Sequence, residues 1–127
     1  MEDYMQFFKE FEENYPEVIS DCYTYYNKTE VKARINDIIE FYFWCQQYGL
    51  QPDYKFGYIY VKSCHLDRWR FVPTSGKIEL MHGNRYFKDI GDYHLQFCKK
   101  MTMKELAIYM SEHDRAKYTP EFVKFSF

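Results

Sequence analysis

The 127-residue chain carries 14 Tyr, 12 Phe and 2 Trp, 28 aromatic residues against only 18 Ile, Leu and Val, and a net charge of −2. A chain of this length is read as one compact domain, residues 1–127, too short for separate catalytic and regulatory domains; charged residues at 28% and apolar ones at 46% exclude a wholly disordered one. The longest uncharged apolar stretch, Phe41 to Cys45, falls far short of the roughly 20 residues of a membrane helix, and the acidic start Met1-Glu2-Asp3 is unlike a signal peptide, so a soluble, cytoplasmic protein with no membrane partner is expected.

In chain order, Glu2 to Asn14 spaces Tyr4, Phe7, Phe8 and Phe11 as one face of an amphipathic helix with acids between them. Pro16 suits the first turn of a shorter helix running to Tyr26, because its missing N–H is one that no helix would satisfy. Asn27 with Glu30 reads as a capping box opening a helix over Lys28 to Tyr48, with Val31, Ile35, Ile38, Ile39 and Tyr42 along one face. Gly49 supplies a left-handed end, Leu50 folds back onto the helix, and Pro52 prevents its continuation.

Beyond Pro52 the period changes from helical to alternating. Lys55 to Ser63 reads as one strand; Arg68 to Val72 and Lys77 to His82 read as two more, joined through Pro73-Thr74-Ser75-Gly76; a further strand or strand pair covers Arg85 to Lys88 and Tyr93 to Cys98. Thr102 and Glu105 form a second capping box, opening a helix to about Ala116 with Leu106, Tyr109, Met110 and His113 on one side; Thr119-Pro120 ends it before an aromatic tail. The order predicts an α+β fold: N-terminal helices over residues 1–50, an antiparallel sheet of about four strands over 54–100, a C-terminal helix over 102–117 packed on one sheet face, and a tail over 118–127.

Charge is unevenly spread. Met1 to Asp21 holds seven acids and one base, net −6, whereas Tyr54 to Lys104 holds ten bases and four acids, net +6. Glu10, Glu12, Glu13 and Glu17 therefore form a candidate acidic arm for a basic partner, set against the reading that the two halves neutralise each other within the fold.

Alternation assigns Trp69, Phe71, Tyr93, Leu95 and Phe97 to one set and Arg68, Arg70, His94 and Gln96 to the other. If Ile59 and Val61 are buried, Tyr58 and Tyr60 join Arg68, Arg70 and His94 on an open, basic, aromatic face suited to a protein hot spot or to single-stranded nucleic acid. The bland counterpart is a solvated sheet face.

For chemistry, His82 and His94 with Glu79 or Asp92, joined by Arg68 or Arg70, are the nearest approach to a hydrolytic constellation, and nothing in their spacing makes them converge. The cysteines Cys22, Cys45, Cys64 and Cys98 have no metal-ligand or redox spacing, and Cys22 and Cys45 fall in apolar helical stretches, so core thiols are expected. No phosphate loop, G-x-S-x-G or H-E-x-x-H pattern occurs; no catalytic residue, metal site or cofactor is assigned.

No motif identifies a family. In size and composition alone the chain resembles the small inhibitors that phages and mobile elements encode against host defences, such as anti-CRISPR proteins. That resemblance covers no specific residues; the acidic helix Glu2 to Glu13 and the surplus of Tyr give the expectation of a non-enzymatic protein, monomer or homodimer, that occludes a site on a larger, nucleic-acid-handling protein. The alternative is a nucleic-acid-binding module or small nuclease using the open sheet face. Tyr23, Tyr25, Tyr26, Tyr58 and Tyr60 exceed what a core of this size can pair through their hydroxyls, so several are expected at the surface.

Overall fold

The computed structural model describes residues 2–63, 67–74, 76–84 and 93–118. Three helices, α1 (Glu2–Asn14), α2 (Pro16–Tyr25) and α3 (Val31–Tyr48), precede five strands, β1 (Gln51–Lys55), β2 (Tyr58–Lys62), β3 (Asp67–Phe71), β4 (Ile78–Asn84) and β5 (His94–Lys99), and α4 (Met103–Tyr118) follows. The strands pair in chain order as one open antiparallel meander, and the fold is α+β as expected.

Local chemistry explains most boundaries. Pro16 opens α2, and Gly49 ends α3 at φ 72 with Leu50 turned back, its N–H on the Cys45 carbonyl. The side chain of Asn27 accepts from the Thr29 and Glu30 amides, which shapes a turn before α3, so the helix itself starts at Val31 and not Lys28. The Thr102–Glu105 box closes reciprocally: the Glu105 amide donates to Thr102 Oγ1 at 3.1 Å and the Thr102 amide to Glu105 Oε1 at 2.8 Å.

The sheet has five strands and not about four because Lys55 to Ser63 is not one strand. Phe56 (φ 50) and Gly57 (φ 88) form a two-residue turn with both residues left-handed, Lys55 pairs with Tyr58 across it, and Gln51 to Lys55 becomes a strand of its own. The expected strand over residues 85–88 and the tail over 119–127 lie outside the described residues.

One continuous core joins the layers. Ile35, Ile38, Ile39 and Phe41 of α3 and Leu106, Ala107 and Met110 of α4 pack with Ile59, Val61, Trp69, Phe71, Ile78 and Leu80 from the sheet; the rings of Phe41 and Phe71 meet edge to face at 5.0 Å. Helices α1 and α2 contact α3. Cys22 and Cys45 are buried thiols within this core, whereas Cys98 is exposed. No helix among the described residues is long and apolar enough to cross a membrane.

Candidate functional site

Register decides which side chains share a face. With Ile59 and Val61 buried, Tyr58, Tyr60 and Lys62 turn to the side away from the core, and the pairings Tyr60 with Arg70 and Lys62 with Arg68 bring both arginines to the same side. The Arg70 guanidinium lies 5.5 Å from the centroid of the Tyr58 ring and 5.1 Å from that of Tyr93. Burial raises the Tyr93 phenol above its ordinary value, opposed by the nearby charges of Arg70 and Arg68. Four of the five residues expected on the open face, Tyr58, Tyr60, Arg68 and Arg70, are thus neighbours.

His94 is not with them. Leu80 pairs with Phe97 but Met81 pairs with Leu95, so Gln96 is an extra residue in β5, a bulge that exchanges the two faces for the residues before it. His94 consequently pairs with His82 on the helix side, the two rings meeting at 5.1 Å, while Leu95 is exposed and Tyr93 joins Arg70. Gln96 donates to the Tyr109 hydroxyl at 2.7 Å, linking the bulge to α4.

A second surface forms where α2 meets the β1–β2 turn. Phe56 is 70% exposed although it holds a left-handed backbone, and its ring meets the exposed Tyr25 ring at 6.3 Å. Glu17, Asp21, Val18, Tyr54, Lys55 and Phe56 line a hollow of about 200 Å³ beside them. Glu10, Glu12, Glu13 and Glu17 are all exposed, and Glu10 accepts from the Gln6 amide. Of the surplus tyrosines, Tyr23, Tyr25 and Tyr58 are exposed and Tyr26 and Tyr60 are partly buried.

The third cluster was hidden from sequence reasoning. Asp67, the first residue of β3, is 0% exposed, and each of its carboxylate oxygens faces one imidazole: Oδ1 to His82 Nε2 at 2.7 Å and Oδ2 to His113 Nδ1 at 3.0 Å. The Asp67 carbonyl accepts from both the Ser63 amide and hydroxyl at 3.2 Å, which fixes the start of the strand. Trp69 packs against both rings, at 4.4 Å from His82 and 5.1 Å from His113. His82 therefore takes its carboxylate from Asp67 and not from the anticipated Glu79, which is exposed and pairs with Cys98, while Asp92, Cys64 and His65 lie outside the described residues. Strand alternation carried the missing signal: Asp67 is in phase with the buried Trp69 and Phe71, and it comes into view only if the strand is begun one residue before Arg68. No family model, curated protein or solved structure matches this chain.

Proposed function

We propose that this is a non-enzymatic binding protein that occludes a site on a larger protein partner, with the α2 and β1–β2 turn surface as its contact. The observation that carries the reading is Phe56. A bulky residue in the left-handed region costs of the order of 1–3 kcal/mol, and a ring left 70% exposed recovers little of it from the fold. A partner pocket that buries the ring supplies the missing return. Phe56 with Tyr25 has the composition of a hot spot, and Glu17 and Asp21 at the hollow beside them, together with the exposed acids of α1, complement a basic rim such as that of a nucleic-acid-binding groove.

The deciding experiment is affinity capture from a lysate of the native host, with and without nuclease, using the wild-type chain, Phe56→Asn, and Glu17→Lys with Asp21→Lys. A protein retained after nuclease treatment, lost with Phe56→Asn, and bound more slowly and with a flatter salt dependence after charge reversal supports occlusion. A partner that disappears with nuclease, or is held equally by all three proteins, overturns it.

A second reading is nucleic-acid binding by the open sheet face, favoured by the placement of Arg70 between the rings of Tyr58 and Tyr93 beside Arg68 and Lys62. Here Arg68→Ala and Arg70→Ala would each lower the slope of log affinity against log salt by about one for each phosphate that is no longer neutralised. An absence of any shift on single-stranded or duplex probes at low salt removes this reading.

A further inference from the structure

We propose that Asp67, His82 and His113 form a binding site for one divalent transition-metal cation of the zinc class. The three residues come from β3, β4 and α4, yet one donor atom from each lies within 4.8 Å of the others. Two imidazole nitrogens and one carboxylate oxygen are a donor set for Zn²⁺, Co²⁺, Fe²⁺ or Mn²⁺. Calcium would need six to eight oxygens and copper(I) soft sulfur ligands, and the set provides neither.

Burial and support make this cluster more than a chance meeting. The Asp67 carboxylate is sealed from water, so both of its oxygens are held by protein groups and not by solvent. The two rings meet the carboxylate at 2.7 and 3.0 Å through His82 Nε2 and His113 Nδ1; a dication seated among these atoms would take the same two nitrogens, each neutral ring carrying its proton on its other nitrogen. The rings are already held. Trp69 packs on both, and the His82 and His113 rings meet each other at 5.0 Å. A donor set fixed by packing before the ion arrives is the arrangement metal sites require. Three protein donors leave one tetrahedral position for water, and the ion would join α4 to β3 and β4. None of these residues belongs to the surface around Phe56, so the site stands or falls independently of the proposed binding role.

Trp69 also reports on it. Zn²⁺ and Co²⁺ would be titrated separately into the chelator-treated full-length protein carrying Trp44→Phe, so that Trp69 is the only tryptophan left, following its emission, the visible absorption of Co²⁺ and the midpoint of thermal unfolding. The expected result is saturable one-to-one binding, a change in Trp69 emission, a rise in the midpoint with Zn²⁺, and at least a tenfold loss of affinity in His113→Ala. His113 is partly exposed on a helix, where alanine is well tolerated, so that variant is expected to fold; circular dichroism checks it. His94→Ala removes a ring that packs on His82 without being one of the three donors and should bind within a few-fold of the parent. The assignment is overturned if binding is not saturable at one ion, if His113→Ala binds as tightly as the parent, or if His94→Ala loses as much as His113→Ala.

Discussion

The Tyr26 hydroxyl donates to the Gly57 carbonyl at 3.1 Å, fastening the end of α2 to the β1–β2 turn across 31 residues of sequence. The bond brings the two halves of the aromatic surface together, and Tyr25 packs along Gly57 as a result. Tyr26→Phe should cost about 1 kcal/mol in urea unfolding, the usual worth of one such bond. It also has a pH signature. Burial, ahead of the neighbouring Cys22, pushes the Tyr26 phenol from 10.0 up to about 12, so the folded state holds the proton more tightly than the unfolded chain does. Its contribution to stability is therefore complete below pH 10.0 and is lost as pH climbs toward about 12. Tyr42 and Tyr54 are raised by burial as well and act in the same direction, so Tyr26→Phe should reduce the alkaline decline without abolishing it. An unchanged slope of stability against pH would show that Tyr26 titrates alike in both states.

The turn itself offers an opposed pair of substitutions. Phe56→Asn creates Asn-Gly, the preferred pair for a turn with two left-handed residues, and removes the strain of the bulky side chain; it also takes away the ring that packs on Tyr25. A net gain of about 0.5 kcal/mol is expected, because the strain term of about 1 kcal/mol or more exceeds what an exposed edge-on ring pair contributes. Gly57→Ala should do the reverse. An added Cβ finds ordinary contact with Tyr25 at 3.8 Å, so the cost is the backbone at φ 88, roughly 1–2 kcal/mol. Chemical denaturation of the two variants checks both signs.

How far the sequence discloses this architecture varies with the range of the interaction. The cap and stop signals at Pro16, Gly49 and Thr102–Glu105 are local, and they mark real boundaries. The Phe56-Gly57 turn is local too, yet it is masked because Phe is a strand-former that rarely takes positive φ, so KFGYIYVKS reads as continuous. Faces are legible where alternation is regular, as in β2 and β3, and fail at Gln96, where one extra residue exchanges the sides without changing composition. The Asp67 cluster is least legible of all. It joins residues 15 and 46 positions apart, and only the strand register and the docking of α4 bring them together.

The cap on α4 should be worth about 1 kcal/mol. In Thr102→Ala the Glu105 amide loses its side-chain acceptor at the open end of the helix, whereas the Thr102 amide keeps Glu105 Oε1. Glu105→Gln retains an acceptor and should cost less. Amide exchange at Glu105 and Leu106 should quicken in Thr102→Ala, because the frayed turn is the first of α4.

The thiols should separate by burial. Cys22 and Cys45 lie in the core, and burial raises both above the ordinary thiol value, so neither presents a thiolate to reagent; Cys98 is exposed on β5. Peptide mapping after brief labelling with a maleimide at neutral pH should find Cys98 modified and Cys22 and Cys45 intact until denaturant is added. Modification of Cys45 at the rate of Cys98 would mean that α3 opens far more readily than its packing allows.

Asp67 ties two histidines to one carboxylate, which makes their contributions interdependent. In metal-free protein, removing either imidazole alone leaves the other bonded to the carboxylate, and each single alanine variant loses one bond to a charged group, about 1.5–3 kcal/mol. Removing both withdraws the two rings from a side chain that water does not reach, so the desolvation cost of the anion is no longer offset by either of them. The double variant His82→Ala with His113→Ala should therefore exceed the sum of the singles, by roughly 0.5–3 kcal/mol in the coupling term of a double-mutant cycle read from urea unfolding in the presence of chelator. Additivity within about 0.5 kcal/mol would mean that the two bonds to Asp67 act as independent contacts.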